Sequence, residues 1–228
     1  MFTRTAATIG QLNANSERTG QAPPGSKALF ESIELQGASM PFDRNAEIFG
    51  EGEPADYVYK VLTGAVRTYR ILSDGRRQIS AFHFPGDVFG LELDAEHSAS
   101  AEAIATSTVL IVRRSAVVAL AERDGGIARR LWTLTAQELQ RAQGHTLLLI
   151  QSAQERVARF LLEMAERFSS GSAVELPMTR QDIADYLGLT IETVSRTLTL
   201  LEGAATIELP ASRRIVLRNR SALTRLNS

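Results

Sequence analysis

The stretch Thr179–Leu198 constrains the fold most, because its start and stop signals fix a sharp turn between two short helices. Thr179 followed three residues later by Asp182 resembles a capping box, in which hydroxyl and carboxylate satisfy the free N–H groups that open a helix. Ile183, Ala184 and Leu187 fall on one face of that helix. Gly188 follows where a left-handed residue turns the chain. Thr190 caps a second helix whose Val194 and Leu198 pack back on the first, with Ala184 small where the two cross. The pattern predicts a helix-turn-helix, a motif whose second helix enters a DNA major groove.

Upstream the periodicity is different. Ile48-Phe49, Tyr57 to Leu62, Ala65 to Leu72, Ile79 to Phe84 and Val109 to Val112 predict strands. Gly50-Glu51-Gly52, Gly64, Asp74-Gly75 and Pro85-Gly86-Asp87 predict the turns between them, Asp74-Gly75 as a hairpin with a loop longer than two residues. Many short strands at this spacing imply a small sandwich or barrel-like roll.

After Arg114 the pattern turns helical. Ser115 is expected to cap a short helix through Ala121, and Gly125-Gly126 to break the chain ahead of a long helix from about Ile127 to Gln151. At about 1.5 Å per residue that helix spans roughly 36 Å, more than a small domain needs. Ile127, Leu131, Leu134, Glu138, Arg141, His145 and Leu148 form a stripe at 3–4 spacing, apolar at its ends and polar in the middle. The stripe predicts a two-fold seam between copies, with Glu138 and Arg141 pairing across the axis to set register. A single amphipathic helix lying on its own domain is the alternative.

Gln154 to Phe168 reads as another helix, with Val157, Phe160, Leu161 and Met164 on one face, followed by a loop at Ser169-Ser170-Gly171-Ser172. A hairpin is expected from Ile207 to Leu217. The predicted layout is α+β: a flexible tail over 1–27, closed by Pro23-Pro24-Gly25, a β-roll over 28–125, a dimerisation helix over 126–152, and a winged helix-turn-helix over 153–228.

Composition removes several function classes. The chain has 228 residues, enough for one large domain or two small ones. It has no cysteine, hence no disulfide framework or thiolate metal site. The first residues lack a charged segment followed by an apolar one, and no apolar run approaches the roughly 18 residues that span a bilayer. A cytoplasmic protein with no membrane partner is expected. Net charge is −1, yet Ser212–Ser228 holds five arginines and no acidic residue, a local hint of nucleic-acid contact. No Ser-His-Asp set, metal cluster or phosphate-cradling loop stands in a suitable context, since Gly50-Glu51-Gly52 lies between strands. No catalytic, cofactor or metal residue is assigned, and an enzyme is not expected.

Packing accounts for Ala184, Gly188, Val194 and Leu198. It does not account for Ile191, Glu192, Ser195 and Arg196, which lie on the opposite face near the start of the second helix. Arg196 suits a bidentate contact to guanine O6 and N7, and Glu192 can accept from a cytosine amino group while orienting Arg196 at i,i+4. Ser195 can reach a base edge or a phosphate. Thr179, Arg180, Thr190 and Thr193 flank this face, and Arg213-Arg214 fall at the tip or second strand of the hairpin. A wing there would put them by the DNA backbone, where they add affinity without sequence information.

With these residues in view, the chain resembles the CRP/FNR superfamily of bacterial transcription regulators over about residues 30 to 220. The resemblance is carried by Ile48-Phe49-Gly50-Glu51-Gly52-Glu53-Pro54-Ala55-Asp56-Tyr57, by Gly64-Ala65-Val66 and by Phe84-Pro85-Gly86-Asp87-Val88-Phe89-Gly90, which look like a cyclic-nucleotide-binding-type β-roll. Glu192-Thr193-Val194-Ser195-Arg196 matches the Glu-x-x-Ser-Arg pattern of the FNR and FixK branches, which implies a TTGA-type half-site in an inverted repeat. Ile191 can touch a thymine methyl. The resemblance further implies a homodimer on double-stranded DNA that engages RNA polymerase.

Two departures narrow it. FNR proteins hold an iron–sulfur cluster with cysteines, which this chain lacks. Cyclic-nucleotide receptors hold phosphate with an Arg-Ser pair and ribose with a glutamate directly after the glycine. Here those positions look like His97-Ser98 and Leu91, with Glu92 one place late and Asp94, Glu96 and Glu102 nearby, so cyclic-nucleotide binding is disfavoured. Haem has only His83, His97 and His145 to draw on. The pattern is similar to the FixK-type branch, which implies control of low-oxygen respiration and nitrogen-fixation genes, by an activator working without a small effector. The alternative is a ligand-gated regulator whose β-roll binds another effector.

Overall fold

A computed structural model of the chain describes residues 37–168 and 173–227. The tail expected over 1–27 and the loop at Ser169–Ser172 lie outside the described residues. Eight strands come first: β1 (Ala38–Phe42), β2 (Glu47–Phe49), β3 (Tyr57–Thr63), β4 (Val66–Ile71), β5 (Arg77–His83), β6 (Val88–Phe89), β7 (Ser100–Ala103) and β8 (Ser107–Arg113). Three helices follow: α1 (Arg114–Arg123), α2 (Gly125–Leu148) and α3 (Ala153–Arg167). The rest is β9 (Ala173–Glu175), α4 (Arg180–Leu187), α5 (Ile191–Gly203), β10 (Ile207–Ala211), β11 (Arg214–Leu217) and α6 (Arg220–Arg225).

The first eight strands make two antiparallel four-stranded sheets, ordered β1-β8-β3-β6 and β2-β7-β4-β5. Phe49, Tyr59, Val61, Val66, Phe89, Ala101 and Val109 fill the space between them. The first sheet is covered on its other face too, where Val58, Val88, Leu110 and Val112 meet Val117 of α1 and Ile127 of α2. Its central strand β8 is therefore wet on neither face, which explains why Val109–Val112 is a continuous apolar run. Gly64 fixes the β3–β4 turn: its φ is +83°, and a Cβ there would sit 2.2 Å from Ser107 Oγ.

The second sheet turns its outer face to the C-terminal half. Ala65, Ile79, Phe82, Phe84 and Ile104 belong to one continuous cluster with Phe160, Leu161, Met164, Tyr186 and Leu187. The ring centroids of Phe82 and Tyr186 lie 5.2 Å apart. Sheet and helices thus share a core, and the helix-turn-helix is seated on the roll rather than strung beside it.

Helix boundaries correct two expectations. Ser115 is not a cap: α1 starts at Arg114, and Arg113 precedes it without a side-chain bond. Gly125-Gly126 do not break the chain but form the first turn of α2, because Asp124 accepts from Gly126 N at 2.7 Å and nucleates it. A capping box at Ser152 and Glu155 opens α3.

Candidate nucleic-acid interface

Local chemistry builds the helix-turn-helix as its sequence predicts. Asp182 Oδ2 accepts from Thr179 N at 2.9 Å and Thr179 Oγ1 at 2.7 Å, and Thr179 Oγ1 accepts in turn from Asp182 N. Gly188 ends α4 at φ 60° and ψ 40°. Thr190 opens α5 by accepting from Thr193 N at 3.2 Å, with the two hydroxyls 3.1 Å apart. Ile183, Ala184 and Leu187 of α4 are buried with Val194, Leu198 and Leu201 of α5, so the pair behaves as one rigid unit.

The outer face of α5 carries the residues that packing leaves over. Glu192 and Arg196 are exposed, while Ser195 is half-buried and within 3.4 Å of Arg180 Nη1, which donates to its Oγ. Ile191 is half-buried and rests its inner side on the core. The Glu192 carboxyl is held below the usual range by its own backbone N–H, then the Thr190 hydroxyl and the nearby Arg196 charge. No ion pair joins Glu192 and Arg196 among the described residues, although the Arg196 charge is near enough to help hold the carboxyl down.

Beyond α5, β10 and β11 form a hairpin, and β9 adds a third strand to it. Arg213 stands at its turn, half-buried, its carbonyl accepting from Leu176 N; exposed Arg214 begins β11. Arg218 and Glu208 pair across the same hairpin.

α4 is gripped from outside its own unit. Asp182 Oδ1 accepts from Arg67 Nη1 of β4 at 2.6 Å and from Arg77 Nη2 of β5 at 2.8 Å. Arg77 Nε also donates to Asp185 Oδ2 at 2.7 Å, and Arg67 Nη2 to Glu102 of β7 at 2.7 Å. At the other end, the Tyr186 carbonyl accepts from His145 Nε2 of α2 at 2.7 Å and Gln78 Nε2 of β5 at 3.3 Å. Arg156 of α3 donates to Leu187 O at 2.8 Å. These anchors carry no sequence signal, since Arg67 and Asp182 are 115 positions apart.

The stripe expected on α2 at a two-fold seam also makes contacts within the chain. Ile127 and Leu148 are buried, and Leu131 and Leu134 pack against the cluster that covers the first sheet. His145 stacks on Tyr186 at 4.2 Å between ring centroids. Glu138 and Arg141 pair within the helix at 3.2 Å, with Arg141 also 3.5 Å from Asp87. The apolar residues left outside lie on the opposite face: Trp132 is 75% exposed, Leu139 59%, Leu147 59% and, just past the helix, Ile150 80%.

In the β-roll, the position that resembles a receptor's phosphate-holding arginine is His97. His97 is buried flat against Phe49, with 3.6 Å between ring centroids and 12° between planes. Glu92 Oε1 lies 3.3 Å from its Nδ1. A carboxylate and an aromatic ring thus surround His97, the residue that the resemblance places where a receptor has its arginine. Among the described residues, no group of three or more His, Asp or Glu could hold a metal ion, and no helix is long and apolar enough to cross a membrane.

Residues 155–226 match the family model of the Crp-like helix-turn-helix domain, and residues 40–124 that of the cyclic nucleotide-binding domain. The chain is 52% identical over 215 residues to the nitrogen fixation regulation protein FixK of Azorhizobium caulinodans, covering 92% of this chain and 87% of that protein. It is 47% identical over 181 residues to FixK of Rhizobium meliloti, covering 79% and 82%. Among solved structures, FixK2 from Bradyrhizobium japonicum matches with a TM-score of 0.81 at 51% identity, covering 84% of this chain and 98% of that one. The fold, the helix-turn-helix and these relatives agree: the chain belongs to the CRP/FNR family, FixK type, and is a DNA-binding transcription regulator.

Proposed function

We propose that two copies of this chain bind an inverted repeat with TTGA-type half-sites, and that Ile191, Glu192, Ser195 and Arg196 read the bases. The observation that carries this reading is Arg196, an exposed guanidinium on the outer face of α5 with no ion-pair partner among the described residues. It is free to donate both its N–H rows to guanine, while Glu192 accepts from a cytosine and Ile191 meets a thymine methyl. Thr179, Arg180, Thr190, Thr193, Arg213 and Arg214 rim this face and meet phosphates.

The second copy docks along the outer face of α2, where Trp132, Leu139, Leu147 and Ile150 otherwise face water. A stripe of that apolarity at helical spacing suits a helix pair. The two reading helices then sit one DNA turn apart, roughly 34 Å. The dimer acts in the cytoplasm as an activator that recruits RNA polymerase without a small effector, a reading supported by the burial of His97 beside Glu92. The relatives named as nitrogen fixation regulators support a role in nitrogen-fixation gene control.

Selection of duplex DNA by the purified protein tests this directly. A TTGA-type palindrome is the expected winner, and Arg196→Ala should relax one position in each half-site. An unchanged preferred site in the variant would remove the readout assignment. Leu139→Arg should yield monomers by light scattering. A second reading, the ligand-gated regulator, draws on a cleft of about 620 Å³ between β4, β5, α2 and α3, lined by Thr68, His83, Arg141, Glu163, Arg167 and Tyr186. A rise in melting temperature with a cyclic nucleotide or another metabolite would favour it.

A further inference from the structure

We infer that the β4–β5 hairpin sets the pose of the DNA-reading helix: Arg67 and Arg77 are positioning residues that hold α4 through Asp182 and Asp185. The starting point is the double use of one carboxylate. Asp182 Oδ2 caps α4 through Thr179, and Oδ1 accepts from both guanidiniums. Arg67 is 7% exposed, and its other Nη is fixed by Glu102. Both guanidinium carbons lie 5.8 Å from the Tyr69 ring centroid. The charges facing one another here are Arg67 and Arg77 against Glu102, Asp182 and Asp185.

Apolar contact and ionic contact do different work at this seam. The shared cluster of Phe82, Phe160 and Tyr186 holds roll and helices together, but non-directional burial does not specify an angle. Hydrogen-bonded guanidinium–carboxylate contacts do, because each planar guanidinium spans two carboxylates, Arg67 those of Asp182 and Glu102 and Arg77 those of Asp182 and Asp185, and so accepts little rotation. Buried pairs of this kind add little net stability and are better suited to fixing one arrangement among several. With Asp182 gripped at one end and the Tyr186 carbonyl at the other, α4 is clamped in tilt and rotation. Arg180 then passes the constraint on, since it donates to Ser195 on α5. The route runs from β5 through α4 to the base-reading face.

This inference rests on the proposed dimer, because a fixed pose matters most when two reading heads must meet two half-sites at one spacing. The test is a series of palindromes whose half-sites are moved one base pair closer or further apart, read by fluorescence anisotropy. Arg77→Ala is the main variant, because Arg77 is the more exposed arginine and Arg67 still neutralises Asp182. We expect its affinity for the best-spaced site to fall roughly tenfold, in the range of measured couplings between contacting residues. Discrimination against misspaced sites should shrink with it, while the preferred bases within each half-site and the melting temperature stay near those of the parent. Asp185→Ala added to Arg77→Ala should cost nothing more. A spacing preference as sharp in Arg77→Ala as in the parent overturns the proposal, as do additive losses in the double variant. A parent protein with no spacing preference overturns the dimer reading itself, and is told apart because it appears before any variant is made.

Discussion

The two helices of the reading unit are built to opposite specifications. In α4, five of eight residues are buried, and both ends are bonded to elements outside the unit. In α5, one side is buried through Val194, Thr197, Leu198 and Leu201, and the other carries Glu192 and Arg196 into solvent. One helix is a mount and the other a probe. Under the proposed readout, the difference separates two requirements of specificity, a chemistry that matches base edges and a frame that aims it. Substitutions in the mount should register in unfolding experiments, and substitutions in the probe only when DNA is present.

The largest effect is expected at Leu187, which is fully buried where α4 meets both the roll and α5. Leu187→Ala removes bulk from a packed site and leaves a cavity, so unfolding free energy should fall by about 3 kcal/mol, measured by denaturant titration. Loss below about 1 kcal/mol would mean that the seam can collapse around the gap and that α4 is not the rigid mount described.

How much of this was legible beforehand divides along the same line. The caps at Thr179 and Thr190 and the left-handed Gly188 depend on neighbours three or four residues away, and the chain states them openly. So do β2 to β5 and β8, whose β-branched and aromatic runs have only one use. Strand β1 escaped notice because it is an exposed edge strand with Pro41 inside it, a place where a missing N–H is harmless. Strand β7 reads Ser-Ala-Glu-Ala, with small alanines rather than large hydrophobes on its buried side. On α2 the period was legible, but a period alone does not say which face meets another copy. Stripes starting at Ile127 and Ala128 both repeat at 3–4 spacing, and only the packed structure assigns the first to the protomer's own body. The clamp on α4 was beyond reach, because charges on β4, β5 and α4 carry no local pattern linking them.

Acid provides the next test, and it acts on the roll that the mount is seated on. His83 ends β5, lies 3.2 Å from Thr68 Oγ1 and is stacked on Phe89. Burial pushes its imidazole down from 6.5 to about 4, with Asp87 opposing the shift and Arg141 and Arg167 adding to it. The unfolded chain therefore takes up a proton below pH 6.5 that the folded chain refuses until about pH 4. Stability should drop as pH falls through that window, by about 3 kcal/mol in total. Burial lowers His145 as well, in the same direction. His83→Gln keeps a polar group near Thr68 but cannot be protonated, so its denaturation midpoint should vary less between pH 6.5 and 4. An equally steep acid limb in that variant would move the sensitivity to another group.

On the probe side the expected effects are smaller and need DNA to be seen. Arg196→Ala should cost about 1–3 kcal/mol of binding and leave unfolding within about 0.5 kcal/mol, because the side chain is exposed. A matching fall in unfolding free energy would make Arg196 part of the mount.

Arg214 tests the rim, where the comparison is finest. It stands exposed at the start of β11, beside the turn of the hairpin, and its register partners are Ala211 on one side and Glu175 on the other. On the proposed reading a guanidinium there meets phosphate and not base edges, so its work is the release of counterions from the DNA. Arg214→Ala should weaken good and poor sites by the same few-fold factor and lower the slope of log affinity against log salt by about 0.9, the share of one neutralised phosphate. Arg196→Ala should change the ranking of sequences instead. If Arg214→Ala altered the ranking and left the salt slope untouched, the wing would belong with the probe, and base reading would extend beyond α5.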